Sequence, residues 1–449
     1  MIVMKFGGSS VESAVAIDRV ASIVRARLDR KPVVVVSAMG KTTNRLLALA
    51  NAAAAGRRAE ALDQLNELEK YTLAEGGSVD GAIKEHFHEL ADLVKGLASL
   101  GEFTPRSVDV VSAFGERLSS LIVAERFRMN GIDALQADAR DYIVTDDRHT
   151  QAAPLYPETY AKLAALKSTA EKRVVVMGGF IASTRAGVTS TLGRGGSDFS
   201  ASIVGAGLDA EEIQIWTDVD GMLTCDPRIL PGGHRVRAIS FDEAAELAYF
   251  GAKVLHPSTV VPAVERNIPV LILNSRRPDV EGTRITREAV ACANIFKSIA
   301  CKPGIAAVNI RSLRMLMAHG FLRRIFEVFD RFETPVDMIA TSEVSVSLTI
   351  DKLERLEEVA EELRQFADVT IEHDQAIICM VGANIATTPG VAGRVFRALN
   401  GTNIRMISQG ASLLNISFVV NGRDLGKAVE ALHREFFADL DPEVFERKQ

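Results

Sequence analysis

The sequence predicts an α/β protein, with a mostly parallel sheet sandwiched by helices over roughly its first three hundred residues and two smaller β-α-β-β-α-β modules after it. Three observations carry this. Short apolar runs suited to buried strands alternate with helical patterns, as crossovers between parallel strands require. The opening residues read strand, helix, strand: Ile2–Phe6, then Val15–Leu28 with apolar residues at helical spacing, then the run Val33–Val36. Past residue 300 one order of elements occurs twice in succession, which marks an internal duplication.

In chain order, the Ala- and Leu-rich stretch Leu46–Leu100, broken at Gly76-Gly77, reads as several helices laid on the sheet. Further strands are expected at Val108–Ser112, Ala134–Ala137, Val174–Met177 and Glu212–Trp216. The first repeat has a strand Ala306–Ile310, a helix Phe321–Phe332, the segment Thr334–Ile339, a strand Val344–Ile350 and a helix Leu353–Phe366. The second has a strand Ala376–Val381, a turn at Pro389-Gly390, a helix Val391–Leu399, the segment Thr402–Ile407, a strand Leu414–Val420 and a helix Leu425–Phe437. The charged stretch Lys352–Arg364 reads as a solvated helix face.

Composition narrows the function. With 449 residues, 47% hydrophobic and 24% charged, the chain has the profile of a soluble globular protein with cores for two or three domains. A formal charge of -6 provides no basic surplus against nucleic-acid phosphates, so a small-molecule ligand is expected instead. The first residues form a strand pattern rather than a secretory signal, and no apolar run is long enough to span a bilayer; a cytoplasmic location is expected. Cys225, Cys292, Cys301 and Cys379 include no C-x-x-C pair, and His86 and His88 stand two apart on an expected helix, so no metal site is expected from side chains.

Several segments could carry chemistry. In Lys5-Phe6-Gly7-Gly8-Ser9-Ser10 a strand runs into paired glycines and a helix start, where bare N–H groups and a lysine could hold phosphate, although such a turn also occurs for packing alone. Thr191–Ser200 gathers three glycines, Arg194, Ser197 and Asp198 before the helical pattern Ala201–Leu208. An arginine there can grip a carboxylate or phosphate through two parallel hydrogen bonds. Simple capping by Ser197 or Asp198 is the competing explanation. Thr217 and Asp218 end a strand, where open α/β sheets bind ligands, and Asp226-Pro227-Arg228 forms a bent, charged loop. Phe250–Pro257 sets Lys253 near a glycine, and His256 before proline reads as structural. Gly40-Lys41-Thr42 imitates the end of a Walker A loop, but Val35 fills the earlier glycine position, and no G-x-G-x-x-G follows the first strand.

Together these segments resemble the amino-acid kinase family, and within it the aspartate kinases of the monofunctional lysine-sensitive type. The resemblance runs through Lys5–Ser10, Val36–Asn44, Phe114–Ser119, Gly179–Ile181, Leu192–Asp198, Trp216–Gly221, Asp226–Arg228 and Phe250–Pro257, and the duplicated tail is similar to paired ACT domains. It implies a kinase domain over 1–295, an ACT domain over 299–370 with 440–449 as a candidate to complete it, and a second over 371–439. It also implies Mg2+-dependent transfer of phosphoryl from ATP to the side-chain carboxylate of L-aspartate, the first step toward lysine, threonine and methionine. Catalytic roles fall to Lys5, Asp218 and Lys253, and ATP contacts to Lys5, Gly7, Gly8, Ser9, Thr217, Asp218, Asp226, Pro227, Arg228, Lys253 and Val254. Ser37, Thr43, Glu116, Phe180, Arg194, Gly195, Gly196, Ser197 and Asp198 would surround aspartate. An amino-acid effector, lysine favoured over threonine, would meet Met315, Ala318, Gly320, Phe321, Leu322, Val336, Asp337, Thr341, Ser342 and Glu343.

The resemblance has departures: Leu223 replaces an expected tyrosine, and Ala318 and Pro335 replace expected serines. It further implies a homodimer or dimer of dimers through the ACT modules. Three rivals explain less. A related kinase for glutamate, N-acetylglutamate or UMP leaves the tail unused, and a purely regulatory binder leaves Lys5, Arg194 and Lys253 unused. A bifunctional kinase and homoserine dehydrogenase needs a further region.

Overall fold

Every side chain of Ile2–Phe6 is buried, because this strand has parallel neighbours on both sides. The computed structural model describes residues 1–76, 79–251, 256–312, 319–383, 385 and 387–446. The chain divides into two units, Met1–Met222 with Leu255–Glu288, and Leu223–Val254 with Ala289–Gln449.

In the first unit the strands stand in the order Thr283–Thr286, Val270–Asn274, Glu212–Thr217, Ile2–Phe6, Pro32–Val36, Val174–Gly178, Ala134–Ala137. Only Thr283–Thr286 runs antiparallel to its neighbour Val270–Asn274. Phe6 stands opposite Val36 on one side and Trp216 on the other, and Val36 stands opposite Gly178. The carboxyl ends of four strands are thereby level. The chain passes from Ile2–Phe6 to a neighbour on one side early and to the other side late, which opens a crevice past those ends. Phe6 and the buried Trp216 stack across this junction with centroids 5.8 Å apart.

The Ala- and Leu-rich stretch forms three helices, Thr42–Ala54, Arg58–Gly76 and Asp80–Leu100. The expected strand Val108–Ser112 is instead part of the helix Pro105–Met129. Thr104 caps that helix by accepting from Ser107 N at 3.3 Å, Pro105 suits its first turn, and Val111, Phe114, Leu118 and Ile122 recur at helical spacing in the core. A small sheet of Val144–Thr145, Ile181–Thr184 and Thr189–Thr191 leads into the Gly193–Gly196 loop.

The second unit holds a six-stranded sheet in the order Met338–Thr341, Ser345–Ile350, Ser298–Arg311, Asp368–Val381, Asn415–Asn421, Ile404–Gln409. The expected strands Ala306–Ile310 and Ala376–Val381 are halves of two 14-residue strands that pair antiparallel. Ala306–Arg311 also pairs with Ser345–Ile350, and Gln375–Val381 with Asn415–Asn421, so the two repeats share one sheet. Helices Phe321–Arg331, Leu356–Arg364, Val391–Ala398 and Leu425–Phe436 follow the expected order. Phe445–Glu446 pairs with Arg235–Val236 rather than completing the first repeat, whose sheet is filled by Asp368–Glu372. Among the described residues no helix is long and apolar enough to cross a membrane.

Candidate active site

The site forms past the carboxyl ends of the central strands. Lys5 is almost wholly buried, and its Nζ lies 2.7 Å from Asp198 Oδ1. Gly7 N donates to Trp216 O at 3.1 Å, and Gly40 N to Gly8 O at 3.0 Å, which fixes the turn after the first strand. A Cβ on Gly8 would come within 2.8 Å of Ala38 O and 2.9 Å of Gly40 O, so only glycine fits there.

The next strand delivers Ser37, whose N donates to Phe6 O at 3.1 Å and whose O accepts from Ser119 Oγ at 2.7 Å. Glu116, from the middle of Pro105–Met129, is buried; its Oε1 accepts from Ala38 N at 3.1 Å, and its Oε2 has no hydrogen-bond partner among the described residues. Burial pushes the Glu116 carboxyl up to about 8, against the smaller pull of the Ala38 hydrogen bond. A buried acid that lines a cavity and keeps spare acceptor capacity can receive a donor such as an ammonium.

The opposite wall is the start of the helix Gly196–Gly207. Gly195 precedes it at φ 71, and Phe180 holds φ 63 while its N donates to Ser200 Oγ at 2.9 Å. A Cβ on Gly196 would fall 2.6 Å from the Phe180 ring, so this corner depends on bare backbone. Lys5, Gly8, Ser37, Thr43, Glu116, Phe180, Gly195, Gly196, Ser197 and Asp198 line one open cavity of about 340 Å³. Ala38, Gly40 and Gly193 line it as well. Gly40 has a sequence signal, a glycine before lysine beyond a strand, and it belongs to the site although Val35 rules out a Walker A loop there.

Arg194 lies between two cavity-lining glycines, is exposed, and has no ion pair among the described residues. Gly7 and Ser9 adjoin the cavity in sequence without lining it. Thr217 ends the neighbouring strand, and its Oγ1 donates to Asp218 Oδ1 at 3.3 Å. Asp226, Pro227 and Arg228 belong to the second unit, where Arg228 Nε donates to Asp226 Oδ1 at 3.0 Å. Lys253, Val254, Met315 and Ala318 lie outside the described residues.

The remaining effector candidates are in the second unit. Gly320, at φ 80, starts the helix Phe321–Arg331, on which Leu322 is exposed and Phe321 packs edge-on against Phe366. Asp337 is held by Lys302 Nζ at 2.7 Å, and burial pushes its carboxyl up against that pull. Thr341 ends a strand, and Ser342 Oγ meets Ser345 Oγ at 2.6 Å in the turn that contains Glu343. Of these residues only Val336 lines the groove of about 590 Å³ beside Phe326 and Phe329.

A mostly parallel α/β sheet whose cleft joins a buried lysine, close-packed glycine backbone and a buried acid suits a small-molecule kinase. Residues 1–274 match the amino acid kinase family and residues 378–436 the ACT domain. The chain belongs to the amino acid kinase family, within which it groups with the aspartokinases. It is 42% identical to Aspartokinase 3, chloroplastic, of Arabidopsis thaliana, over 97% of this chain and 81% of that protein. The crystal structure of E. coli aspartokinase III with lysine and aspartate in the T-state superposes with a TM-score of 0.85 at 34% identity, covering 97% of this chain and 99% of that one. The same enzyme with aspartate and ADP in the R-state gives 0.82 at 35% identity, covering 97% and 100%.

Proposed function

We propose that the chain transfers the γ-phosphoryl group of ATP to the side-chain carboxylate of L-aspartate, forming 4-phospho-L-aspartate. The observation that carries this reading is that Lys5, paired with Asp198, and the buried acid Glu116 line one cavity large enough for an amino acid. Aspartate's carboxylate, with an ordinary pKa of about 3.9, is ionised at neutral pH and needs no general base. Catalysis then rests on positioning and on neutralising the charge of the moving phosphoryl group.

Asp198 is already engaged by Lys5, so Glu116 is the residue assigned to the α-ammonium. Arg194 takes the α-carboxylate, with Ser37, Thr43, Phe180 and Ser197 around the substrate. Lys5 contacts the transferring phosphoryl, while Gly7, Gly8, Ser9, Thr217, Asp218, Asp226–Arg228 and Lys253 serve ATP. Among the described residues no three His, Cys, Asp or Glu side chains cluster to hold a metal. Mg2+ would be held chiefly by the nucleotide phosphates as its ligands, with water and one or two carboxylates completing its shell.

The kinase domain is assigned to 1–295 and the two ACT domains to 299–370 and 371–439, with lysine as effector, through contacts that include Asp337. A homodimer or dimer of dimers through the ACT modules is part of the reading. A cytoplasmic location suits four cysteines that are all free. Trapping acyl phosphate with hydroxylamine in the presence of Mg-ATP tests the substrate: hydroxamate should form with aspartate, not with glutamate or N-acetylglutamate, and fall when lysine is added. Product from N-acetylglutamate alone would transfer the chain to another branch of the family.

A further inference from the structure

Asp109 is fully buried on the helix that also carries Glu116, and among the described residues no lysine or arginine pairs with it. Seven residues separate the two acids, about two helical turns, so both project from one face. Three groups satisfy the Asp109 carboxylate. Thr191 Oγ1 donates to Oδ1 at 2.5 Å, Thr150 N reaches the two oxygens at 3.0 and 3.1 Å, and His149 Nδ1 lies 2.6 Å from Oδ2. Thr191 ends its strand two residues before Gly193, and its O accepts from Ala152 N at 2.9 Å. Thr150 is held at φ 71, a conformation that a β-branched residue resists and that these hydrogen bonds impose. Its carbonyl oxygen lies 3.1 Å from where a Gly193 Cβ would stand, so the turn bearing His149 backs directly onto the loop bearing Arg194.

We infer that Asp109 and His149 are positioning residues for the amino-acid substrate: with Thr150 they brace the Gly193–Asp198 loop and so set where Arg194 can grip the α-carboxylate. This rests on the reading of that loop as part of the aspartate site. The mechanism given above does not use the pair, and neither residue lines the cavity. A carboxylate with an imidazole at hydrogen-bond distance behind a ligand loop orients it without touching the substrate.

His149→Phe keeps the ring and removes the donor, whereas His149→Asn retains an amide N–H near the place of Nδ1. The expected result for His149→Phe is an aspartate KM raised about tenfold, with ATP KM and kcat within about twofold of the parent. His149→Asn should restore most of the affinity. Hydrogen exchange over 192–198 reports the brace without any substrate: it should quicken in His149→Phe and not in His149→Asn. An unchanged exchange rate in His149→Phe overturns the inference. Faster exchange with an unaltered aspartate KM would keep the brace but remove its role in substrate binding. Faster exchange in a protein that phosphorylates a different amino acid would uphold the brace and reject the aspartate reading. Equal rises in both KM values, not rescued by His149→Asn, would reduce the pair to a folding role and also overturn the inference.

Discussion

A carboxyl group buried with one oxygen unpaired is costly to ionise, and Glu116 meets that cost by keeping its proton. Its folded value near 8 lies above the ordinary 4.5, so between those two values the native state binds a proton that the unfolded chain has released. The stability it contributes is therefore fully present below about pH 4.5 and is lost as the pH rises toward 8. Thermal melts of the ligand-free protein should fall over this range, and Glu116→Gln should flatten the fall; parallel slopes for the two proteins would remove Glu116 as the cause. An α-ammonium docking on the Glu116 carboxylate favours the ionised form, so aspartate binding near neutral pH should release a proton, read by calorimetry in buffers of different ionisation enthalpy. Lys5 makes a complementary case. Its ion pair with Asp198 holds the ammonium in place before any phosphate arrives, and Lys5→Ala should cut kcat by about a thousandfold or more while circular dichroism shows an intact fold. Retained turnover would exclude Lys5 from the transfer step.

At the scale of elements, the turn joining Ile2–Phe6 to the following helix works because backbone from two strand ends can touch. Gly8→Ala would push a methyl group into two carbonyl oxygens below 3.0 Å, so the Gly8 and Gly40 turns must separate. The expected outcome is a loss of ATP and aspartate turnover with a destabilisation of about 1–3 kcal/mol, measured by urea titration beside initial rates. Near-normal turnover would mean that the turn has room to spare. The glycines, Lys5 and the loop at Gly193–Asp198 were legible in the sequence because each sits at a strand end or helix start with a local signature. The helix Pro105–Met129 was partly misread as a strand because Val108, Val110 and Val111 outweighed its Thr104-Pro105 start, and the tertiary burial of its other face decided the matter. Asp109 and His149 left no local trace at all, since 40 residues separate them and only the fold brings them within 2.6 Å.

On the scale of the whole molecule, the sequence repeat announced two modules but not how they would be joined. Periodicity places strands; it does not say that Ala306–Ile310 and Ala376–Val381 continue into partners belonging to the other repeat. The structure runs both on as 14-residue strands, with a register shift between Pro303 and Ala307 where one module gives way to the other. Buried apolar residues lie on both sides of that shift, including Ile299 and Ala300 on one and Val308 and Ile310 on the other. Opening either module therefore strips hydrogen bonds and core from a strand that the other also needs, which couples them into one cooperative unit. Native-state hydrogen exchange tests this directly: amides of Ser298–Lys302 and of Ala307–Ile310 should report opening free energies within about 1 kcal/mol of each other. If one half exchanged through a much cheaper opening while the other stayed protected, the modules would be independent folding units that merely abut, and a signal bound in one would have no shared strand through which to reach the other.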